Sequence, residues 1–169
     1  MHHESSLEIF DDPRITAMGL LGEAYVGLMA RLQCQIAQHD LSPIEFEILL
    51  RLTRSPDGQL RMTDLSAQTS LTASGVTRVI DRLEKVALVQ RAACPTDRRS
   101  LYAVITRSGR DRIAAILPGH LALINEWFTG RLQPDQLEAL LSGLRVVRDA
   151  VRPGAESGAR DSTTELMSL

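Results

Sequence analysis

The chain of 169 residues has few cysteines, no marked net charge and no long apolar run. Its two cysteines, Cys34 and Cys94, are too few for a disulfide framework. Its longest uninterrupted apolar runs, such as 48–50, span only a few residues. We therefore expect no helix that crosses a bilayer and no membrane partner. The start Met-His-His-Glu-Ser-Ser lacks the basic-then-apolar pattern of a secretion signal, so we expect a cytoplasmic protein.

The net charge of −2 hides an uneven distribution along the chain. Residues 1–60 carry four arginines against nine acidic residues, and residues 108–169 carry seven basic against eight acidic residues. Residues 61–107 carry eight basic residues against four acidic ones. A basic segment between acidic and nearly neutral segments predicts a local surface for an anionic partner such as nucleic acid.

Helix-start signals and apolar spacing predict two helices in the first sixty residues. Asp12-Pro13 is a start signal, and apolar residues then follow at spacings of three and four to about Gln38. The sequence Ser42-Pro43-Ile44-Glu45 has the pattern of a capping box and predicts a second helix to about Thr53.

The following segment predicts an order of elements typical of a winged helix-turn-helix. The expected elements are a helix 64–69 capped by Thr63, a helix 73–86, a strand 88–93, a loop 94–99 and a strand 101–105. Two further helices are expected, from Thr106 to Phe128 and from Pro134 onward. The predicted fold class is mainly α with a small β-hairpin wing, a winged helix-turn-helix lobe and a helical dimerisation region.

The helix 73–86 has the pattern of a recognition helix that enters the major groove of DNA. Its apolar stripe is Val76, Val79, Ile80 and Leu83, and at 100° per residue the outward positions are Ser74, Arg78, Asp81, Arg82 and Lys85. Hydroxyl groups near its start, on Thr72, Ser74 and Thr77, and its free N–H groups suit phosphate. The alternative interpretation is an ordinary solvated face of an amphipathic helix.

Two arginines in the predicted loop, Arg98 and Arg99, favour DNA over that alternative. A projecting loop with two guanidinium groups suits a minor groove or its phosphates. A winged helix that binds only protein would not need cations on both the helix and the loop. That function nevertheless stays open as an alternative.

Five segments of this region together resemble the MarR family of bacterial transcriptional regulators, over about residues 12–150. They are Leu65-Ser66-Ala67, the run Ser74-Gly75-Val76-Thr77-Arg78-Val79-Ile80-Asp81-Arg82-Leu83-Glu84, Leu88-Val89-Gln90-Arg91, Asp97-Arg98-Arg99-Ser100 and Thr106-Arg107-Ser108-Gly109. The resemblance implies a homodimer that represses or activates transcription at a pseudo-palindromic operator in double-stranded DNA. It also implies that the first and the last two helices interlace between subunits.

The resemblance assigns roles to individual residues. The residues that it implies for contacts in the major groove are Ser74, Thr77, Arg78 and Arg82. Arg98 is implied for the minor groove, with Asp97 and Arg99 bracing the loop by an ion pair. The family usually has glycine where this chain has Ala87. Alanine there implies either a strained left-handed residue, at about 1 kcal/mol, or a different helix end.

The resulting division of the chain has five parts. They are an N-terminal arm 1–11, a dimerisation helix and a lobe-supporting helix 12–60, the DNA-binding lobe 61–106, C-terminal dimerisation helices 107–152 and a flexible tail 153–169.

Sensing residues are harder to predict than DNA contacts. Family members often respond to small aromatic acids, thiol oxidation or metals, so a small aromatic effector is one interpretation. A ligand cleft would lie near Tyr25, Met29 and Phe46, unless these residues are plain core. We expect Cys34 to be buried and inert. Cys94 is either an exposed loop cysteine of no consequence or a reactive thiol whose oxidation displaces the wing.

No motif in the sequence predicts an enzyme, a metal site or a cofactor. The four histidines are not clustered with cysteines or carboxylates at metal-ligand spacing. A phosphatase loop would need Cys-x5-Arg, but the sixth residue after Cys94 is Ser100. The competing functions are therefore a DNA-binding regulator and a winged helix that binds protein.

Overall fold

The structure, a computed structural model, describes residues 10–94 and 100–152. The helices are α1 Pro13–Ala37, α2 Pro43–Arg54, α3 Met62–Gln68, α4 Ala73–Lys85, α5 Arg107–Trp127 and α6 Pro134–Val151. The strands are β1 Gln59–Arg61, β2 Val89–Ala93 and β3 Leu101–Ile105, and short 3-10 turns lie at Pro56–Gly58 and Thr129–Arg131. The mainly α fold with a small β wing is confirmed. The predicted tail 153–169 and residues 1–9 of the predicted arm 1–11 lie outside the described residues.

The local start signals of the first helices act as the sequence predicted. The Asp12 side chain accepts a hydrogen bond from the Arg14 N–H at 2.8 Å, and Pro13 begins α1. Ser42 and Glu45 form a reciprocal capping box at the start of α2. Thr72 and Thr106 cap α4 and α5, and each side chain accepts a hydrogen bond from the N–H three residues on.

The sheet has one strand more than the sequence predicted. β1 pairs with β3, and β3 pairs with β2, both antiparallel, in the order β1-β3-β2. The extra strand also corrects the start of α3, which was expected to be capped by Thr63. Since β1 ends at Arg61, the helix begins directly at Met62, with Arg61 in the cap position and no side-chain cap bond. A three-residue strand held by distant pairing leaves no periodic signal in the sequence.

The core of the lobe forms where α2, α3, α4 and the first half of α5 meet the sheet. Its fully buried side chains include Ile48, Leu49, Leu52, Leu65, Ile80, Leu83, Ile113 and Ile116. Burial of each such side chain contributes about 1.5–3 kcal/mol relative to exposure. This core fixes α4 against the domain and therefore decides which of its faces is free.

The end of α4 is a tight junction with both the wing and α5. The Leu88 N–H donates to the Leu83 carbonyl at 2.9 Å and the Ala87 N–H to the Glu84 carbonyl at 3.0 Å, which is a Schellman turn. Ala87 has φ +56°, so the strained left-handed alternative is the one adopted. The Thr106 hydroxyl donates to the Ala87 carbonyl at 2.7 Å. A Cβ at Gly109 would lie 2.2 Å from the Leu88 carbonyl oxygen, so only glycine fits there.

Helices α1 and α6 are barely covered by the rest of the described chain. Ile36 is the buried residue of α1, and α6 buries none. Met18, Tyr25 and Val26 of α1 are each more than 60% exposed, and Val146 and Val151 of α6 are 70% exposed. An amphipathic helix gains most of its stability from packing its apolar face, so these faces require another partner.

Helix α1 also corrects the expectation that no helix is suited to span a bilayer. By length and composition alone, α1 is long and apolar enough to cross a membrane. Its 25 residues correspond to about 37 Å, against a hydrocarbon thickness of about 30 Å. The criterion of uninterrupted runs missed it because glycines and a few polar residues interrupt the apolar ones. A single such helix is weak evidence for a membrane protein, because soluble helices pass the same test.

The left-handed Ala87 generates a stability prediction. A non-glycine residue in this conformation costs about 1–2 kcal/mol, while glycine costs about 0.4–1 kcal/mol of extra unfolded-state entropy. Ala87→Gly should therefore raise the free energy of unfolding by roughly 0.5–1 kcal/mol. Urea denaturation measures this value. The control, Ala114→Gly in the exposed interior of α5, should lower it by about 1 kcal/mol. A lower free energy of unfolding in both variants would show that Ala87 is not strained.

Candidate nucleic-acid interface

Helix α4 presents one polar face to solvent because its opposite face is anchored in the core. Val76, Val79, Ile80 and Leu83 are at most 4% exposed, as the apolar stripe predicted. We define the recognition face as Ser74, Thr77, Arg78, Asp81 and Lys85, all of which are exposed. The core thus orients these side chains together, as a helix must when it is laid into a major groove.

The hydroxyl-bearing residues lie at the N-terminal end of α4. The Thr72 hydroxyl accepts from the Gly75 N–H at 3.2 Å and lies 3.1 Å from the Ser74 hydroxyl. The Thr77 hydroxyl donates to the Ala73 carbonyl at 3.0 Å. Thr72 is therefore first a capping residue, whereas Ser74 lies beyond it on the recognition face. The helix end itself offers free N–H groups and the positive end of its dipole to an anion.

The three cations of α4 have different surroundings. Within the described residues, Arg78 and Lys85 have neither an ion pair nor a side-chain hydrogen bond. Arg82 instead donates through Nε to Oε1 of Glu45 at 2.9 Å and is about half exposed. Arg78 and Lys85 are thus available to an outside anion, while Arg82 also ties α4 to the start of α2.

Glu45 is the residue that connects α4 to the capping box of α2. Its carboxylate accepts from the Ser42 N–H at 2.8 Å and the Ser42 hydroxyl at 2.6 Å, as well as from Arg82. Burial acts to raise the pKa of Glu45, but the hydrogen bonds from Ser42 and Arg82 outweigh it and hold the pKa below its usual value. Glu45 is therefore an anion at neutral pH, and its pairing with Arg82 helps to fix the position of α4.

Arg91 braces the recognition face from the wing, and the sequence reasoning missed this role. Its guanidinium donates to Asp81 at 2.6 Å and also to the Glu84 carboxylate, while its main-chain N–H donates to Glu84 at 3.1 Å. A planar guanidinium has five N–H donors in a fixed fork, so it can bond two carboxylates at once. Asp81 and Arg91 are ten residues apart on different elements, so neither spacing nor periodicity indicates the pair.

The wing continues from this brace, and its tip lies outside the described residues. The predicted DNA contacts Arg98 and Arg99 and the predicted brace Asp97 are all in that undescribed part. The base of the wing is closed by the Cys94 N–H, which donates to the Ser100 carbonyl at 3.0 Å. Across it, Arg61 Nε lies 3.4 Å from the Tyr102 hydroxyl.

Both expectations for the exposure of the cysteines were wrong. Cys34 is exposed, because it lies two residues from Leu32 and Ile36 and so on the opposite side of α1. Cys94 is buried at the end of β2, with its Sγ 3.8 Å from the Tyr102 hydroxyl. The exposed-loop interpretation of Cys94 is therefore excluded, and oxidation of Cys94 that displaces the wing stays a hypothesis.

The predicted cleft residues have different surroundings. Phe46 is core, packed with its ring 4.6 Å from the His120 imidazole, whereas Tyr25 is 63% exposed. His120 is buried and lies 3.2 Å from Gln35 Oε1, and burial lowers its pKa. Within residues 10–94 and 100–152, no group of three or more potential ligands is arranged to hold a metal ion.

Taken together, the lobe and its face define a winged-helix protein whose α4 has the exposed polar face expected of a recognition helix. Comparisons with known proteins agree with this class. The MarR family model matches residues 39–100. The transcriptional regulator MhqR of Bacillus subtilis is 35% identical over 63% of this chain and 72% of its own length.

Solved structures extend the likeness over most of the chain. The MarR family regulator AbsC of Streptomyces coelicolor has 30% identity and a TM-score of 0.79, over 84% of this chain and 96% of its own. Sco3205 of the same organism, solved in complex with DNA, has 28% identity and a TM-score of 0.75, over 86% of this chain and 92% of its own. The chain belongs to the MarR family and is a DNA-binding transcriptional regulator.

The Arg91 brace generates the prediction of this section. Arg91→Met should lower the free energy of unfolding by roughly 1 kcal/mol, because it leaves Asp81 and Glu84 without their shared cation on a partly exposed surface. The control is Arg107→Met, because the Arg107 side chain is 95% exposed and its Nε lies 3.9 Å from Asp111. That variant should stay within about 0.5 kcal/mol of the parent. If urea denaturation shows the same decrease in the free energy of unfolding for both variants, Arg91 is not a brace.

Proposed function

We propose that the protein is a ligand-responsive repressor that acts as a homodimer on a pseudo-palindromic operator. The observation that carries the proposal is the recognition face of α4, where Arg78 and Lys85 are exposed without a partner in the described chain. In this proposal Ser74, Thr77 and Arg78 lie deepest in the major groove, because they are nearest the N-terminal end of the helix. A bidentate contact from arginine to guanine discriminates by about 1–3 kcal/mol.

The remaining predicted contacts have positioning roles in this proposal. Thr72 and Lys85 hold phosphates, and Arg98 reaches the minor groove from the wing. Arg99 pairs with Asp97 to brace the loop and adds a phosphate contact. Phosphate contacts fix register and orientation without reading sequence. Arg82 is shared between Glu45 and the DNA backbone, so its contribution to affinity is reduced by the ion pair that it must leave.

The exposed apolar faces of α1 and α6 support the homodimer. Leu140, Leu144 and Val147 lie on the apolar stripe of α6, and each is 37% exposed or more. A second copy that buries these stripes would supply the packing that the single chain lacks. Two lobes in a symmetric dimer then place two recognition helices in major grooves about 34 Å apart, one turn of DNA. In this arrangement residues 12–60 supply a dimerisation helix and a helix that supports the lobe, residues 107–152 complete the dimer, and residues 61–106 bind DNA.

Nothing in the comparisons favours the alternative of a winged helix that binds only protein. The matched relatives are transcriptional regulators rather than enzymes, and one was solved on DNA. We further propose that the protein acts in the cytoplasm and has no catalytic activity, cofactor or membrane partner. A small aromatic effector, which would change the spacing of the two lobes, remains a prediction.

DNA titration with matched variants tests the proposal. The protein would be titrated against DNA from upstream of its own gene, and against scrambled DNA, at several salt concentrations. Arg78→Ala should weaken operator binding by about 1–3 kcal/mol and reduce the preference over scrambled DNA. Lys85→Ala should weaken binding to both DNAs equally and reduce the magnitude of the log–log salt slope by about one. Arg54→Ala, an exposed arginine of α2, should change neither.

Two results would contradict the proposed roles. The first is an Arg78→Ala variant that binds both DNAs as Arg54→Ala does, which would show that α4 does not read bases. Binding that shows no salt dependence would exclude the phosphate contacts, because each phosphate neutralised adds about −0.9 to the log–log salt slope.

A further inference from the structure

Arg61, the last residue of β1, forms a cross-strand pair with Tyr102 of β3 at the base of the wing. The two residues are direct partners in the antiparallel register, so their side chains share one face of the sheet. Arg61 Nε donates to the Tyr102 hydroxyl at 3.4 Å, and the guanidinium carbon is 5.9 Å from the centroid of the ring. That distance is within the range of a cation–π interaction. Tyr102 therefore orients the guanidinium through its Nε–H and its ring, and leaves the terminal N–H groups to other acceptors.

Arg61 lines a cavity between α4 and the base of the wing. The cavity has a volume of about 250 Å³, and its lining includes Thr77 of the recognition face, Thr63 and Leu101. These three neighbours are exposed, so the cavity opens to solvent. Since one water takes about 30 Å³ of liquid, the space holds a phosphate oxygen together with several waters.

Arg61 and Arg91 both line this cavity, but they differ in their partners. Arg91 bonds two carboxylates of α4 through its terminal nitrogens. Within residues 10–94 and 100–152, Arg61 has no carboxylate at ion-pair distance, and its side chain bonds the Tyr102 hydroxyl. The terminal N–H groups of Arg61 are therefore available to an anion that enters the cavity.

The geometry of DNA places a phosphate backbone over this cavity. When α4 lies in a major groove and the wing reaches the adjacent minor groove, one sugar–phosphate strand separates the two grooves. That strand passes between the two protein elements, and the cavity lies between the same two elements. A guanidinium suits such a strand, because it binds a phosphate through two parallel N–H groups.

We propose that Arg61 is a DNA-contacting residue that binds a phosphate of this strand through its terminal N–H groups, and that Tyr102 is its positioning residue. The inference rests on the placement of α4 in the major groove under the proposed function. A phosphate contact reads no sequence, but it fixes register and orientation. Because Arg61 lies between α4 and the wing, its contact sets the angle of these two elements on the DNA.

The salt dependence of DNA binding tests the contact in the full chain. The probes are a scrambled duplex and DNA from upstream of the gene, each titrated at several salt concentrations. Arg61→Gln should weaken binding to both duplexes about tenfold at low salt, because a charge-assisted hydrogen bond is lost. It should also reduce the magnitude of the log–log salt slope by about 0.9, the value for one neutralised phosphate. Arg54→Gln, which removes the same charge from an exposed position on α2, should change neither.

Two conservative variants separate the charge of Arg61 from its structural role. Arg61→Lys keeps the charge and should restore most of the salt slope, because the phosphate is still neutralised. Tyr102→Phe keeps the ring and removes the hydroxyl, so binding should weaken about threefold while the slope stays unchanged. Urea unfolding of each variant shows that the lobe is still folded.

Uncharged phosphates locate the contact on the DNA. Each phosphate of the upstream duplex is replaced in turn by a neutral methylphosphonate. One replacement on the strand between the two grooves should weaken binding of the parent chain. The same replacement should have no effect on binding of Arg61→Gln, which already lacks the contact.

Three outcomes would overturn the inference. The first is a salt slope of Arg61→Gln equal to that of the parent, and the second is a slope of Arg61→Lys as low as that of Arg61→Gln, which would show that the pair only supports the wing. The third is equal sensitivity of the parent and Arg61→Gln to every methylphosphonate. Failure of the proposed function is distinguishable, because it shows as equal binding of the parent to both duplexes, whereas the salt slope on scrambled DNA needs no operator.

Discussion

Burial of one apolar stripe on α4 is the constraint on which the rest of the site depends. Val76, Val79, Ile80 and Leu83 are locked in the lobe core, and this fixes the rotation of the helix about its axis. Rotation by one residue would turn Arg78 toward the core and cost several kcal/mol of desolvation. The polar face is thus a consequence of packing, and Arg82 and Arg91 then hold the helix at its sides through Glu45 and Asp81.

The turn after α4 contacts both the wing and α5, so the position of α4 is fixed relative to these two elements. Ala87 adopts a strained left-handed conformation, which allows the chain to turn sharply. The Thr106 hydroxyl bonds the carbonyl of Ala87, and Gly109 lets α5 pack closely against the carbonyl of Leu88. Three elements therefore meet with little freedom.

Local signals predicted most of the fold, and contacts between distant segments account for what they missed. Capping residues such as Asp12, Ser42, Thr72 and Thr106 act within three residues, so the helix starts that they define could be predicted. The strand β1 and the Arg91 brace depend on partners tens of residues or a whole element away. The exposure of Cys34 depends on which face of α1 packs, and uneven periodicity along α1 left that open. The recognition face could be predicted because a 13-residue helix with a clean apolar stripe has one free side.

The central claim is that two copies of this recognition face read DNA as a symmetric pair. Selection from a random pool of double-stranded DNA, followed by sequencing, tests it most directly. The account predicts enrichment of inverted repeats whose half-site centres lie about 10 base pairs apart, and loss of that enrichment with Arg78→Ala. Enrichment of a single half-site without symmetry would contradict the dimer, and a pool that stays random would contradict sequence reading by α4.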